Sequence, residues 1–487
     1  MSKMVKAGLT FFVLLLIAQP LFAEIRLPAI VSSNMVLQRN TTVRLWGWAE
    51  VNEKITIETS WSRDKIETWA EDNGQWSVSV ETTGSKSPQN ISIRSNQSDI
   101  SLDNILFGEV WLCSGQSNME LPLRGYRGEP VFGSNMAVAK SNNPNLRLFT
   151  VERAGSKTKL DEIGKHISWQ QASPESVSGF SAVAYFFGQQ LQEILDVPVG
   201  LIHSSCGASS IEAWMSEEAL VGLKKVDLTD VDISRNANHI PSALFNAMIN
   251  PLVPYTIKGV LWYQGEGNMT EPEMYKKLFP AMVKDWRDRW GLGNFPFYFT
   301  QIAPFIYGGN EAFQSVQNSA FFREAQLQCL DLIPDSGIAI TIDIGDDYCI
   351  HPPEKKEVAD RLLFNALNQT YGYTSVDHAS PIFVSRSIKN GGIVLRFKNA
   401  ETGLYSFEGL KGFEIAGADK VFYPATAKII NSNEVFVKSD EITEPVAVRY
   451  AWRNWTVGTL YDINLLPASS FRTDMWDDAT MKKMEGN

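Results

Sequence analysis

The middle of the chain alternates between two residue periods, and that alternation limits the fold more than any other feature. Apolar strand candidates at Ile105–Leu112, Val197–His203, Ile257–Tyr263, Phe297–Ile302 and Gly337–Ile342 are separated by helix-length segments at Ser181–Leu195, Glu273–Trp290, Ser319–Leu332 and Glu354–Tyr371. Strands that read as continuous apolar runs, joined by helices, imply an α/β fold with a parallel sheet covered on both faces. The flanks differ. Residues 24–103 carry short alternating runs such as Val43-Arg44-Leu45-Trp46 and a tight-turn signal at Asp72-Asn73-Gly74, which predict a β-sandwich-like domain. Residues 376–487 return to strand periodicity and predict a second β-domain, leaving 104–375 as the α/β domain. At 487 residues, more than one core is the default.

The first 23 residues combine Lys3 and Lys6, an apolar run from Leu9 to Ala18 and Leu21-Phe22-Ala23, the pattern of a secretory signal peptide. The expectation is an exported protein, periplasmic or extracellular, without membrane insertion. A net charge of −11 argues against nucleic acid as a partner, since phosphate neutralisation needs clustered Lys and Arg. The four cysteines, Cys113, Cys206, Cys329 and Cys349, contain no CxxC pair, so no structural metal is expected.

In open α/β sheets the ligand crevice lies beyond the carboxyl ends of the strands. The residues just after the strand candidates carry the chemistry: Gly115-Gln116-Ser117-Asn118, Cys206-Gly207-Ala208-Ser209-Ser210, Gln264-Gly265-Glu266-Gly267-Asn268 and Asp343-Ile344-Gly345-Asp346-Asp347. Ser117 is the candidate nucleophile, with a helix N-cap as its plain alternative. Five histidines are available, His166, His203, His239, His351 and His378. His351 follows the fifth strand on the edge that carries Ser117 and is the favoured general base; His203 lies late in its strand, where burial is the alternative.

Together, Gly115-Gln116-Ser117-Asn118-Met119, Glu212-Ala213-Trp214, Trp262-Tyr263-Gln264-Gly265-Glu266 with Asn268, Arg323-Glu324-Ala325-Gln326, and Asp343-Ile344-Gly345-Asp346 followed by Ile350-His351-Pro352 resemble the sialate O-acetylesterase family of SGNH hydrolases. The resemblance implies a three-layer α/β/α domain and a serine esterase that removes acetyl groups from O-acetylated sugars without a cofactor. It implies Ser117 as nucleophile, His351 as general base, and an oxyanion site formed by the Ser117 and Gly207 N–H groups and the Gln264 amide. Trp214, Trp262 and Tyr263 are candidates to stack on a sugar, with core packing the favoured reading for Trp262. Glu266 and Asn268 are candidates for substrate binding or for bracing the loop.

The chain departs from the family pattern at Cys349, where members commonly carry Asp or Asn, and at Cys206, where many carry Trp. The group that orients His351 is thereby left open among Asp346, Asp347 and a backbone carbonyl. Cys206 and Cys349, on loops expected to meet, are also candidates for a disulfide. Rival readings are a metal-dependent hydrolase built on Asp343, Asp346, Asp347 and His351, an acetylesterase acting on xylan or another glycan, and a non-catalytic glycan-binding module. Oligomeric state is left open.

Overall fold

A single strand organises the molecule. The computed structural model describes residues 24–164, 168–224, 231–307, 318–476 and 480–481, so the expected signal peptide over 1–23 and His166 lie outside the described residues. The first strands are β1 (Val36–Gln38), β2 (Thr42–Trp48), β3 (Lys54–Thr59), β4 (Ile66–Trp69), β5 (Gln75–Glu81) and β6 (Gln89–Arg94), followed by β7 (Asp99–Gly115). The first half of β7 pairs antiparallel with β6 as part of the N-terminal sheet, where burial is partial. From Ile105 to Gly115 every residue is buried, and the strand pairs in parallel with its neighbours. The change coincides with Asn104, which has a positive φ of 57° beside a register shift in the β6–β7 ladder. Asn accepts this left-handed geometry at low cost, and a bulge re-aims the strand from one sheet into the other. The expected boundary between residues 103 and 104 therefore falls inside a continuous strand.

The central sheet continues with β8 (Asn143–Thr150), β9 (Gln170–Ala172), β10 (Val199–Ser205), β11 (Gly259–Tyr263), β12 (Phe297–Thr300) and β13 (Ser336–Ala339), in the spatial order β13-β12-β11-β7-β10-β8-β9. All these pairings are parallel except that of β9 with β8. The five apolar runs seen in the sequence form β7 and β10 to β13. The edge pair β8 and β9 was not anticipated, because its sequence carries more polar residues than the buried central strands.

Five helices matter for the site: α1 (Ser117–Glu120), α2 (Ala182–Leu195), α3 (Pro272–Trp290), α4 (Ala320–Leu332) and α5 (Lys355–Asn365). Helix α2 begins where the Ser181 hydroxyl accepts the Ala184 N–H at 3.2 Å and ends at Asp196 in the left-handed region. It packs with α5 on one face of the sheet around Phe187, Leu191, Leu362 and Leu363, while α3 and α4 cover the other face around Phe279, Trp286 and Phe322. The result is a mixed α/β unit with a largely parallel sheet between two helical layers, and antiparallel β-structure before and after it.

Among the described residues the C-terminal strands form a four-stranded, a five-stranded and a two-stranded sheet. They join the α/β unit through Arg323, fully buried on α4, whose guanidinium donates to Ser319 Oγ at 2.9 Å, Ser470 Oγ at 3.1 Å and the Arg453 carbonyl at 2.6 Å. Arg323 and Glu324, which pairs with Arg472, thus hold the C-terminal unit in place. Four cysteines remain free thiols, so the Cys206–Cys349 disulfide is not formed.

Where β7 ends, Gly115 has φ +138°, and a Cβ there would stand 2.2 Å from the Tyr263 carbonyl oxygen. Gly115→Ala combines backbone strain with a clash against an unyielding strand, and strain of this kind costs roughly 1–3 kcal/mol before the clash is counted. Thermal melting should show a lowered Tm; an unchanged Tm would contradict the close approach.

Candidate active site

Ser117 follows the β7 terminus by two residues and opens α1, so its position is set by the buried second half of a central strand. Its Oγ lies 2.7 Å from His351 Nε2 across 234 residues of sequence. The other imidazole nitrogen, Nδ1, faces Glu129, whose Oε2 is 3.0 Å away, within ion-pair range but off the line of an aligned N–H bond. Hydrogen bonds in unliganded sites are often loose and tighten when the reacting group arrives. Serine, histidine and glutamate are therefore in the order required for nucleophile, base and orienting carboxylate.

The group that the structure places beside His351 Nδ1 is Glu129, rather than Asp346, Asp347 or a backbone carbonyl. Asp346 Oδ1 accepts the N–H groups of Tyr348 and Cys349, at 2.8 and 2.9 Å, which shapes the loop leading to His351. Asp343 forms a two-pronged pair with Arg361 at 2.8 and 2.7 Å. Of the aspartates considered for a metal-dependent hydrolase, Asp346 is thus engaged in a loop contact and Asp343 in a helix contact. Glu129 itself sits in a tight bridge with Tyr126, each N–H donating to the other's carbonyl, within a segment that has no strand or helix periodicity.

Burial holds the His351 imidazole below its ordinary value of 6.5, with the Glu129 carboxylate opposing the shift and the Lys355 ammonium adding to it. The imidazole is consequently neutral near pH 7. His203 is also buried, its Nε2 2.5 Å from Ser205 Oγ, and burial pushes it down to about 4. It packs against Phe180 and takes the buried alternative rather than a place at the serine.

The His351 loop is clamped from beneath by a buried polar network. Asn118 Nδ2 donates to the Ile350 carbonyl at 3.1 Å and to Glu266 Oε1 at 2.8 Å. Lys355 Nζ donates to Asn118 Oδ1 at 2.8 Å and to the Pro352 carbonyl at 2.6 Å. The carbonyls on both sides of His351 are therefore held by donors tied to the residue after Ser117. Burial pushes the fully buried Lys355 down to about 8, with the Glu266 carboxylate the largest opposing influence. Glu266 is held above its usual range by burial and countered in part by its Asn118 hydrogen bond.

An open cavity of about 670 Å³ lies above these groups, lined by residues including Ser117, His351, Gly207, Glu266, Tyr126 and Arg153. Gly207 borders the serine closely, since a Cβ there would lie 3.6 Å from Ser117 Cβ. Its N–H faces the Glu120 carboxylate, which pairs with Arg153. Glu120, Arg153, Tyr126 and Glu129 were not singled out in the sequence; Tyr126 and Arg153 are the more exposed members, and only folding brings them to the Ser117 rim.

The expectations for Gln264 and Trp214 need correction, and Asn268 takes the bracing alternative. Gln264 is fully buried and its Nε2 donates to the Ser209 carbonyl at 3.0 Å and to Asn268 Oδ1 at 2.8 Å, so its amide is engaged behind the cavity. Asn268 also accepts the Ile211 N–H at 2.8 Å and donates to Glu212 Oε2 at 2.9 Å, which makes it a brace between loops. Trp214 is fully buried, bonded to Ser209 Oγ and packed edge-on against Trp262, so it offers no ring to a sugar. Trp262 and Tyr263 are buried core aromatics as well. Glu266 lines the cavity yet is bonded to Asn118, which gives it a bracing contact at the cavity wall.

Comparison with known proteins decides the family. Residues 108–346 match the family model described as carbohydrate esterase, sialic acid-specific acetylesterase. A carbohydrate acetylesterase from Xanthomonas citri, known from its crystal structure, superposes with a TM-score of 0.83 and 34% identity, covering 93% of this chain and 100% of that one. The chain belongs to the sialate O-acetylesterase family. It is accordingly a carboxylic ester hydrolase of the carbohydrate esterase type. The sialate O-acetylesterases of Homo sapiens and Mus musculus are 26% and 25% identical, covering 88% and 96% of this chain and 88% and 98% of their own lengths. The family-model match ends before His351, which is brought to Ser117 by the geometry above. Among the described residues no helix is long and apolar enough to cross a membrane.

Two outcomes check this arrangement. Because the base must be neutral, kcat/KM should fall as pH drops through the pKa of the His351–Glu129 pair, placing the acid limb below 6.5. Glu129→Gln removes the charge that favours imidazolium, so the limb should move to still lower pH while kcat falls by about 10²- to 10⁴-fold. A limb that stays in place would remove Glu129 from the base's surroundings. Lys355→Met should release the Pro352 carbonyl and lower kcat by up to about 10²-fold through misplacement of His351, with KM changed much less; a raised KM with kcat unchanged would instead point to a binding defect.

Proposed function

We propose that this chain is an exported serine carbohydrate esterase that hydrolyses O-acetyl groups on sugars through an acetyl-Ser117 intermediate. The observation that carries the reading is the Ser117–His351–Glu129 array at the wall of an open cavity. In the first step His351 Nε2 takes the Ser117 proton as Oγ attacks the acetyl carbonyl, and Glu129 stabilises the imidazolium that forms. The tetrahedral oxyanion is received by the N–H groups of Ser117 and Gly207, the latter turning from Glu120 to the new charge. His351 then returns the proton to the departing sugar hydroxyl. Water, deprotonated by the same imidazole, releases acetate and restores Ser117.

Acetylated sugars suit the cavity because Tyr126, 43% exposed, offers a ring and Arg153 and Glu120 offer polar partners around the serine. The relatives named sialate O-acetylesterase favour an O-acetylated sialic acid as substrate, and the carbohydrate acetylesterase of Xanthomonas citri favours acetylated glycans more broadly. Export rests on the charged and apolar pattern of residues 1–23.

Purified enzyme should release acetate from O-acetylated sialosides or xylo-oligosaccharides in a reaction that withstands EDTA and is abolished by Ser117→Ala. Rapid quenching followed by peptide mass spectrometry should find one acetyl group on the Ser117 peptide. Acetate release that persists in Ser117→Ala would sink the mechanism, and the ranking of substrates names the preferred glycan.

A further inference from the structure

Cys349 stands beside the base and has no part in the reaction just described. Its Sγ lies 3.2 Å from the His351 carbonyl, and its own N–H is held by Asp346, so the thiol is fixed in place by the loop that carries His351. Among the described residues, Glu129, Cys349 and His351 are a set whose ligand atoms all lie within 4.8 Å of one another. The His351 nitrogen on this side is Nδ1, 3.0 Å from Glu129 Oε2 and without an aligned hydrogen bond. All three residues are partly exposed, so a dissolved ion can reach them.

A thiolate, an imidazole nitrogen and a carboxylate oxygen are the donor set that zinc prefers, and tetrahedral zinc places such atoms about 3.5 Å apart. Closing the triangle asks for side-chain movements of roughly 1 Å from the spacing seen here, within reach of rotations of Glu129 and Cys349. The acidic residues alone would attract many cations weakly; the thiol and the imidazole select a thiophilic one.

We propose that Glu129, Cys349 and His351 form a binding site for a thiophilic divalent cation of the zinc type, and that its occupancy switches the esterase off. Binding releases the Cys349 thiol proton to solvent and moves the imidazole proton from Nδ1 to Nε2, with no change in oxidation state. His351 then presents an N–H to Ser117 Oγ where catalysis needs a lone pair, and Glu129 is taken by the metal. The nucleophile loses its base while the cavity and the serine stay intact. The inhibitory consequence rests on the proposed role of His351; the binding itself does not.

Titration of the full-length enzyme with Zn²⁺ should inhibit acetate release reversibly, with EDTA restoring it, and Cys349→Ser should raise the inhibition constant at least about tenfold relative to its own metal-free rate. Cys206→Ser, which removes a thiol outside the set, should leave the zinc response as it is. Direct binding is read separately on Ser117→Ala with Co²⁺, where a thiolate-to-metal charge-transfer band should appear and should vanish in the Ser117→Ala, Cys349→Ser double variant. Equal inhibition of Cys349→Ser and the parent, or a band that survives loss of Cys349, would overturn the site. A band that depends on Cys349 in an enzyme whose acetate release does not need Ser117 would uphold the site and overturn the esterase mechanism instead.

Discussion

Strand β7 is the constraint on which the rest of the molecule depends. Its first residues belong to a partly exposed antiparallel ladder, its last eleven, from Ile105 to Gly115, are buried, and the final stretch from Trp111 to Gly115 is paired on both sides, by β10 and β11. A strand buried on both faces has no freedom to slip, because a one-residue shift would turn its side chains to the wrong layer and break two parallel ladders at once. Gly115 then ends the strand with its backbone against Tyr263, and Ser117 emerges two residues later. The position of the serine is therefore inherited from the sheet rather than from a loop.

His351 has no such support of its own, since it lies in an irregular segment between β13 and α5. Its fixity comes from Asn118 and Lys355, which bond the carbonyls on either side of it and tie them to the serine. Placing an ammonium and a carboxylate in the interior is costly unless each is paired and hydrogen-bonded. Here Asn118 links both, accepting from Lys355 and donating to Glu266 Oε1, so the network pairs the ammonium and one carboxylate oxygen while joining the two halves of the site. Donors held beneath both flanking carbonyls preorganise the imidazole before any substrate arrives.

Much of this was legible from residue patterns. The buried parallel strands announce themselves because continuous apolar runs have few other uses, and the four helices between them were found within a few residues of their ends. The edge pair β8 and β9 escaped notice since edge strands need less apolar sequence. Within the site, Ser117, Gly207 and His351 were found because strand ends converge in this class of sheet. Trp214 and Gln264 were misplaced for a shared reason: an indole or an amide near a strand end reads alike whether it faces the cavity or the layer beneath it. The choice between those sides is made by packing partners, here Trp262 for the one and Asn268 with Ser209 for the other.

By itself the sequence determined the layered α/β class, the order of the strands along the chain, and the two residues, Ser117 and His351, that sit 2.7 Å apart. These follow from hydrophobic periodicity and from residues that are scarce, five histidines in all. The tertiary structure alone decided which carboxylate meets His351. Glu129 lies in an aperiodic turn among many exposed acids, and proximity across 222 residues of chain is a property of how loops pack, which no local pattern encodes.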